Sequence, residues 1–162
     1  MPRLRGALAW PAVRNPEAER IVGDVWAAFQ RDGVAGVFAY AADDAVWQPH
    51  SAGKRTFRST AEYREYLGNV PVAERFEAIA TGIWSHEDVV AVRGRMRISR
   101  DGGQLEDTRM YWLFAVAAGR LVRMGSSPDL AGLLRDAGHD DPVLAREAFI
   151  ALHRSGAIEP GR

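Results

Sequence analysis

The spacing of apolar residues changes once along this chain, at Pro71, and that change limits the fold more than any other feature. Before Pro71 apolar side chains recur every three or four residues, the period of one helical face. Beyond it they recur every second residue, the period of a strand with one covered side. With 162 residues the chain can build one sizeable core but not two ordinary domains, so helices and strands must share it. An α+β fold follows.

The helical half is punctuated clearly. Asn15-Pro16-Glu17-Ala18-Glu19 offers a capping side chain, a proline at the first helical position and early acids, ahead of Ile21, Val22, Val25, Trp26 and Phe29. This predicts a helix to about Arg31. Asp32-Gly33 breaks it, and Val34, Val37, Phe38 and Ala41 form a second short stripe ending at Asp43-Asp44. Ala45 to His50 reads as a short strand, with Pro49 at an edge or irregular end. Ser59-Thr60-Ala61-Glu62 opens a third helix carrying Tyr63, Tyr66, Leu67 and Val70, stopped by Gly68-Asn69 and Pro71.

Four strands are expected next, over Arg75 to Trp84, Val89 to Arg100, Glu106 to Ala117 and Arg120 to Ser127, joined as an antiparallel meander. In the second, Val90, Val92, Gly94, Met96 and Ile98 share one face and Arg93, Arg95 and Arg97 the other. Met110, Trp112, Phe114 and Val116, then Val122, Met124 and Ser126, extend the dry face that the helices must cover. A one-residue slip would expose Val90, Val92, Met96 and Ile98 at roughly 1.5–3 kcal/mol each. Leu130 to Ala137 reads as a short helix, and Asp141-Pro142 caps a final one bearing Val143, Leu144, Ala148 and Phe149.

Composition excludes several functions. Twenty-one basic and 21 acidic residues are scattered evenly, so no footprint for nucleic acid or an anionic membrane arises. No cysteine is present, which removes thiol chemistry and thiolate metal sites. His50, His86, His139 and His153 lack paired spacing, so no metal is expected, and no phosphate loop or dinucleotide fingerprint occurs, so no cofactor is expected. The apolar stretch from Gly6 to Trp10 stops at Pro11, too short for a signal peptide or a membrane span, and a cytoplasmic location is expected.

The element order, Ala42-Asp43-Asp44-Ala45 before the first strand, Arg58-Ser59 at the third helix, and Gly119-Arg120-Leu121-Val122 before Asp129 together resemble the nuclear transport factor 2-like superfamily, in its SnoaL-like and ketosteroid-isomerase-like branch. The resemblance covers about Pro16 to Leu134. It implies a cone-shaped, curved antiparallel sheet with the N-terminal helices over its concave face, an apolar pocket within, and frequent dimerisation. The expected organisation is an N-terminal arm over 1–15, the SnoaL-like domain over 16–134 and a C-terminal helical extension over 135–162. Matching the ketosteroid-isomerase pattern puts its base at Pro49, its phenol at Val25 and its acid near Trp112, so all three groups are missing. A limonene-epoxide-hydrolase-like arrangement falls on Gly94, Met96 and Ser126 and is missing too.

The remaining candidates have two readings each. Trp26, Trp47, Tyr63, Met96, Met110, Trp112, Phe114 and Met124 form either a plain core or the wall of a pocket for an apolar molecule, with Ser126 at its end. His50 is either a surface loop histidine or an acid-base group. Glu77 becomes a base only if it points inward, and Phe76-Ala78-Ala80 and Ile79-Thr81-Ile83 are both plausible inner sets. Three functions stay open: a cofactor-independent isomerase, cyclase, dehydratase or hydrolase; a non-catalytic binder of a small hydrophobic molecule; and a dimerisation module with a filled pocket. The arginine face is the expected surface of a homodimer.

Overall fold

The computed structural model describes residues 14–53, 55–69, 75–100, 104–140, 143–144 and 146–148. Its elements run α1 (Pro16–Asp32), α2 (Val34–Phe38), β1 (Ala41–Gln48), a 3-10 turn (His50–Ala52), α3 (Thr60–Gly68), β2 (Arg75–His86), β3 (Val89–Arg100), β4 (Gln104–Ala117), β5 (Arg120–Ser127) and α4 (Leu130–Asp140). The Asp101-Gly102-Gly103 turn, Asp141-Pro142 and most of the last helix lie outside the described residues.

Local chemistry sets the helix ends. The Asn15 side chain accepts the Ala18 amide at 3.0 Å, and Gly33, at φ 71°, donates its N–H to the Phe29 carbonyl at 2.8 Å. Ser59 accepts the Glu62 amide at 3.0 Å while the Glu62 carboxylate reaches back to the Arg58 amide at 3.0 Å. At the start of α1, Ser85 of β2 donates to Glu19 at 2.7 Å and accepts the Asn15 amide at 2.9 Å, which pins the helix to the sheet.

The sheet order is β1-β5-β4-β3-β2, antiparallel from β2 to β5, with β1 joining β5 in parallel. The sheet is curved and unclosed, and helices α1 and α3 lie over its concave side. Strand β1 begins at Ala41, four residues earlier than expected, because it runs alongside β5 from Ala41↔Leu121 onward; Asp43 and Asp44 therefore stand exposed on a strand and close no helix. Strand β2 runs on to His86, leaving Glu87-Asp88 as the turn.

Two β-bulges correct the expected facing. Between Ala115 and Val116 the register with β5 shifts, so Leu121 pairs with Val116 and joins the inner core, fully buried, in place of Val122. Between Ala80 and Gly82 the register with β3 also shifts. Ala78 and Ala80 face inward before the bulge and Ile83 after it, so each candidate inner set holds for half of the strand. At Gly94 strand β2 lies close against β3, and a Cβ there would overlap the Ile79 carbonyl oxygen.

The convex side is dry over part of its area. Val89, Ala91 and Leu113 form a second core with Leu133 of α4 and with Leu144 and Ala148, and Trp84 and Tyr111 pack at its edge. The C-terminal helices thus cover one half of the outer face, and Arg93, Arg95 and Arg97 occupy the other.

Candidate ligand-binding site

Alternation in β3, β4 and β5 brings Met96, Met110, Trp112, Phe114 and Met124 to the concave face, and α1 and α3 add Trp26 and Tyr63. Trp47 of β1 completes the cluster. The rings meet edge to face: Trp26 and Trp112 lie 4.9 Å apart at 89°, Phe38 and Trp47 5.5 Å apart at 85°, and Phe38 and Tyr63 5.7 Å apart at 88°. Two of the indoles are tied within the protein. The Trp26 indole N–H donates to the Ala78 carbonyl at 3.0 Å, and that of Trp47 to Thr60 Oγ1 at 3.1 Å. Burial, aided by neighbouring Tyr66, pushes the Tyr63 phenol up to about 12, so it stays neutral at physiological pH.

The cluster has a closed and an open part. Trp47 and Met110 have at most 1% of their surface exposed, whereas Trp26, Tyr66, Leu67, Ile98 and Met124 pack on the same core while remaining partly accessible. Apolar surface therefore meets solvent along the edge of the concave side.

His50, Glu77 and Ser126 do not converge there. Glu77 is exposed and stands opposite Arg97 on the convex face, so the inward orientation that a base would need does not occur. His50 follows β1 and Glu77 lies on β2, the two opposite edges of the sheet, roughly 19 Å apart at the usual strand spacing. They cannot share a reaction. His50 is exposed, and its backbone N–H donates to Ser126 Oγ at 2.9 Å.

Sequence reasoning missed a second feature. His50 and Ser126 line a cleft of about 570 Å³ together with Gln48, Pro49, Thr56, Arg58, Ser127, Leu133, Arg135 and Asp136. Strand alternation could have placed Gln48 and Arg123 together on the convex side, but the approach of α4 has no local signal. Among the described residues no group of three His, Asp or Glu side chains could hold a metal ion, and no helix is long and apolar enough to cross a membrane.

Residues 22–124 match the SnoaL-like domain family, and the chain belongs to it. Solved structures share its NTF2-like, ketosteroid-isomerase-like fold. An NTF2-like protein of unknown function from Burkholderia pseudomallei is 20% identical, with TM-score 0.62, over 74% of this chain and 95% of its own. A Mycobacterium tuberculosis protein in complex with estradiol-17beta-hemisuccinate is 20% identical, with TM-score 0.59, over 71% of this chain and 95% of its own. A computationally designed 17-OHP binder is 18% identical, with TM-score 0.58, over 71% and 95%. No curated protein sequence matches. The chain is thus a SnoaL-like domain with an NTF2-like fold.

Proposed function

We propose that the protein binds a small, flat, apolar molecule against its concave face, and that it does so without transforming it. The observation that carries this reading is the partly accessible pair Trp26 and Met124 beside the buried Met96 and Trp112, where the Trp26 indole N–H is already bonded to the Ala78 carbonyl and the chemistry on offer is contact rather than proton transfer. Helix α3 gives that cluster two phenols, Tyr66 at its accessible edge and the buried Tyr63, which stays protonated. A steroid-like ring system is the first class to try, since one protein of the same fold is solved in complex with estradiol-17beta-hemisuccinate.

Intrinsic tryptophan fluorescence titrated with estradiol and with a planar aromatic polyketide tests it. A saturable change that weakens about tenfold or more in Trp112→Ala, with the ligand recovered unaltered by mass spectrometry, is expected. Absence of saturation across such ligands overturns binding, and a converted ligand overturns the non-catalytic part. A homodimer, if it uses the outer sheet face, is confined to the arginine half, because α4 covers the other.

A further inference from the structure

Where the parallel strands β1 and β5 end together, the cleft of about 570 Å³ has a volume within the range of small-molecule sites. A hydrogen-bond chain of fixed direction runs into its lining. Arginine carries only donors, so the Gln48 atom that faces the buried Arg123 at 2.8 Å must be the amide oxygen. This turns the Gln48 amide nitrogen toward Thr56 Oγ1, 3.0 Å away, and Thr56 accepts. Its own proton is left over.

Two more hydroxyls of the lining are held in the same sense. Ser126 Oγ accepts the His50 backbone N–H at 2.9 Å and Ser127 Oγ accepts that of Asp129 at 3.1 Å, and a backbone N–H, like a guanidinium, can only donate. Among the described residues none accepts a hydrogen bond from Thr56, Ser126 or Ser127, so three hydroxyl protons remain for a molecule in the cleft. Helix α4 adds Asp136, a carboxylate that can only accept. Arg58, also in the lining, is engaged within the chain.

This mixture of donors and one acceptor narrows the chemistry. A simple carboxylate or phosphate meets Asp136 with a like charge and no proton to give it, and an apolar ring leaves every donor unpaired. A molecule with several neighbouring hydroxyls satisfies both kinds of group, because each hydroxyl accepts as well as donates. Pro49 and Leu133 offer apolar contact to its C–H face. We infer that this cleft binds a small neutral polyol of monosaccharide size, with Thr56, Ser126 and Ser127 as its donors and Asp136 as its acceptor.

The site goes beyond the apolar reading and does not depend on it. Trp47 and Gln48 are successive strand residues pointing to opposite faces, so a molecule in the cleft meets Gln48 and one on the concave face meets the tryptophans.

An NMR titration of the full chain with D-glucose, D-galactose, D-mannose and D-ribose, reading the amide signals of His50, Ser126 and Ser127 and the indole N–H signals, tests the inference. Saturating shifts of those amides with at least one sugar are expected, with the indoles unmoved. Thr56→Val removes the free proton, and Gln48→Glu reverses the chain, since a carboxylate there accepts from Arg123 and from the Thr56 hydroxyl alike. Each should weaken binding about tenfold, while Thr56→Ser binds as the parent does. An unchanged amide spectrum of Gln48→Glu away from the cleft separates lost binding from lost folding. No saturation with any of the four sugars, shifts confined to the indoles, or parental affinity in Gln48→Glu overturns the site. Acetate or inorganic phosphate binding more tightly than every sugar overturns the neutral polyol assignment.

Discussion

Thr60 shows how much a single side chain can carry in this core. Its Oγ1 accepts the Trp47 indole N–H at 3.1 Å and donates to the Ala42 carbonyl at 2.7 Å, tying α3 to β1 from both ends of one hydroxyl. Thr60→Val keeps the volume and strands both partners, so urea unfolding should reveal a loss of about 2–3 kcal/mol, with Thr60→Ser retaining most of the stability. Tyr63 offers a second residue-level test, through pH. Its folded value of about 12 lies above the ordinary 10.0, so the unfolded chain ionises first and folding stability falls as pH rises through this window. By pH 11 the loss from this group is about 1.4 kcal/mol, and below pH 10 the contribution is fully present. Tyr63→Phe should therefore show a flatter alkaline stability profile by denaturant titration; parallel profiles would refute the buried phenol.

At the scale of elements, what could be read in advance followed from repetition. The alternation in β3 and β4 is long and regular, and both its apolar face and its arginine face are found where the sequence puts them. The caps at Asn15 and Ser59 are equally local. Three features were not legible, each because a distant partner decides it. The bulges at Thr81 and Val122 answer to neighbouring strands, the early start of β1 answers to β5, and the cleft exists only because α4 folds back beside the 3-10 turn. The same return of α4 explains why Leu113, on the convex face, has only 2% of its surface exposed. Leu113→Ala should cost about 2–4 kcal/mol in chemical unfolding, as for a core leucine. A cost near zero would mean that this face is open and that the C-terminal helices do not cover it.

For the whole molecule, equal numbers of acids and bases conceal an uneven distribution. Among the described side chains, the uncovered half of the convex face holds Arg93, Arg95, Arg97 and Arg109 against Glu77 and Asp107, an excess of two positive charges on a protein that is formally neutral. Within one chain part of this is balanced: Arg95 and Arg97 reach the Asp107 carboxylate at 2.7 and 3.4 Å and hold it below its ordinary range, while Arg93 lies 5.6 Å over the Trp84 ring. Two copies stacked on this face would oppose the two excesses. Screening shortens from about 10 Å at 0.1 M salt to about 3 Å at 1 M, so a homodimer of this kind must tighten as salt rises. Sedimentation velocity at low and high sodium chloride should show that trend, and Arg109→Glu, which cancels the excess, should strengthen the dimer at low salt. A dimer that salt dissolves must be held by opposite charges, and would place the interface away from the arginine row.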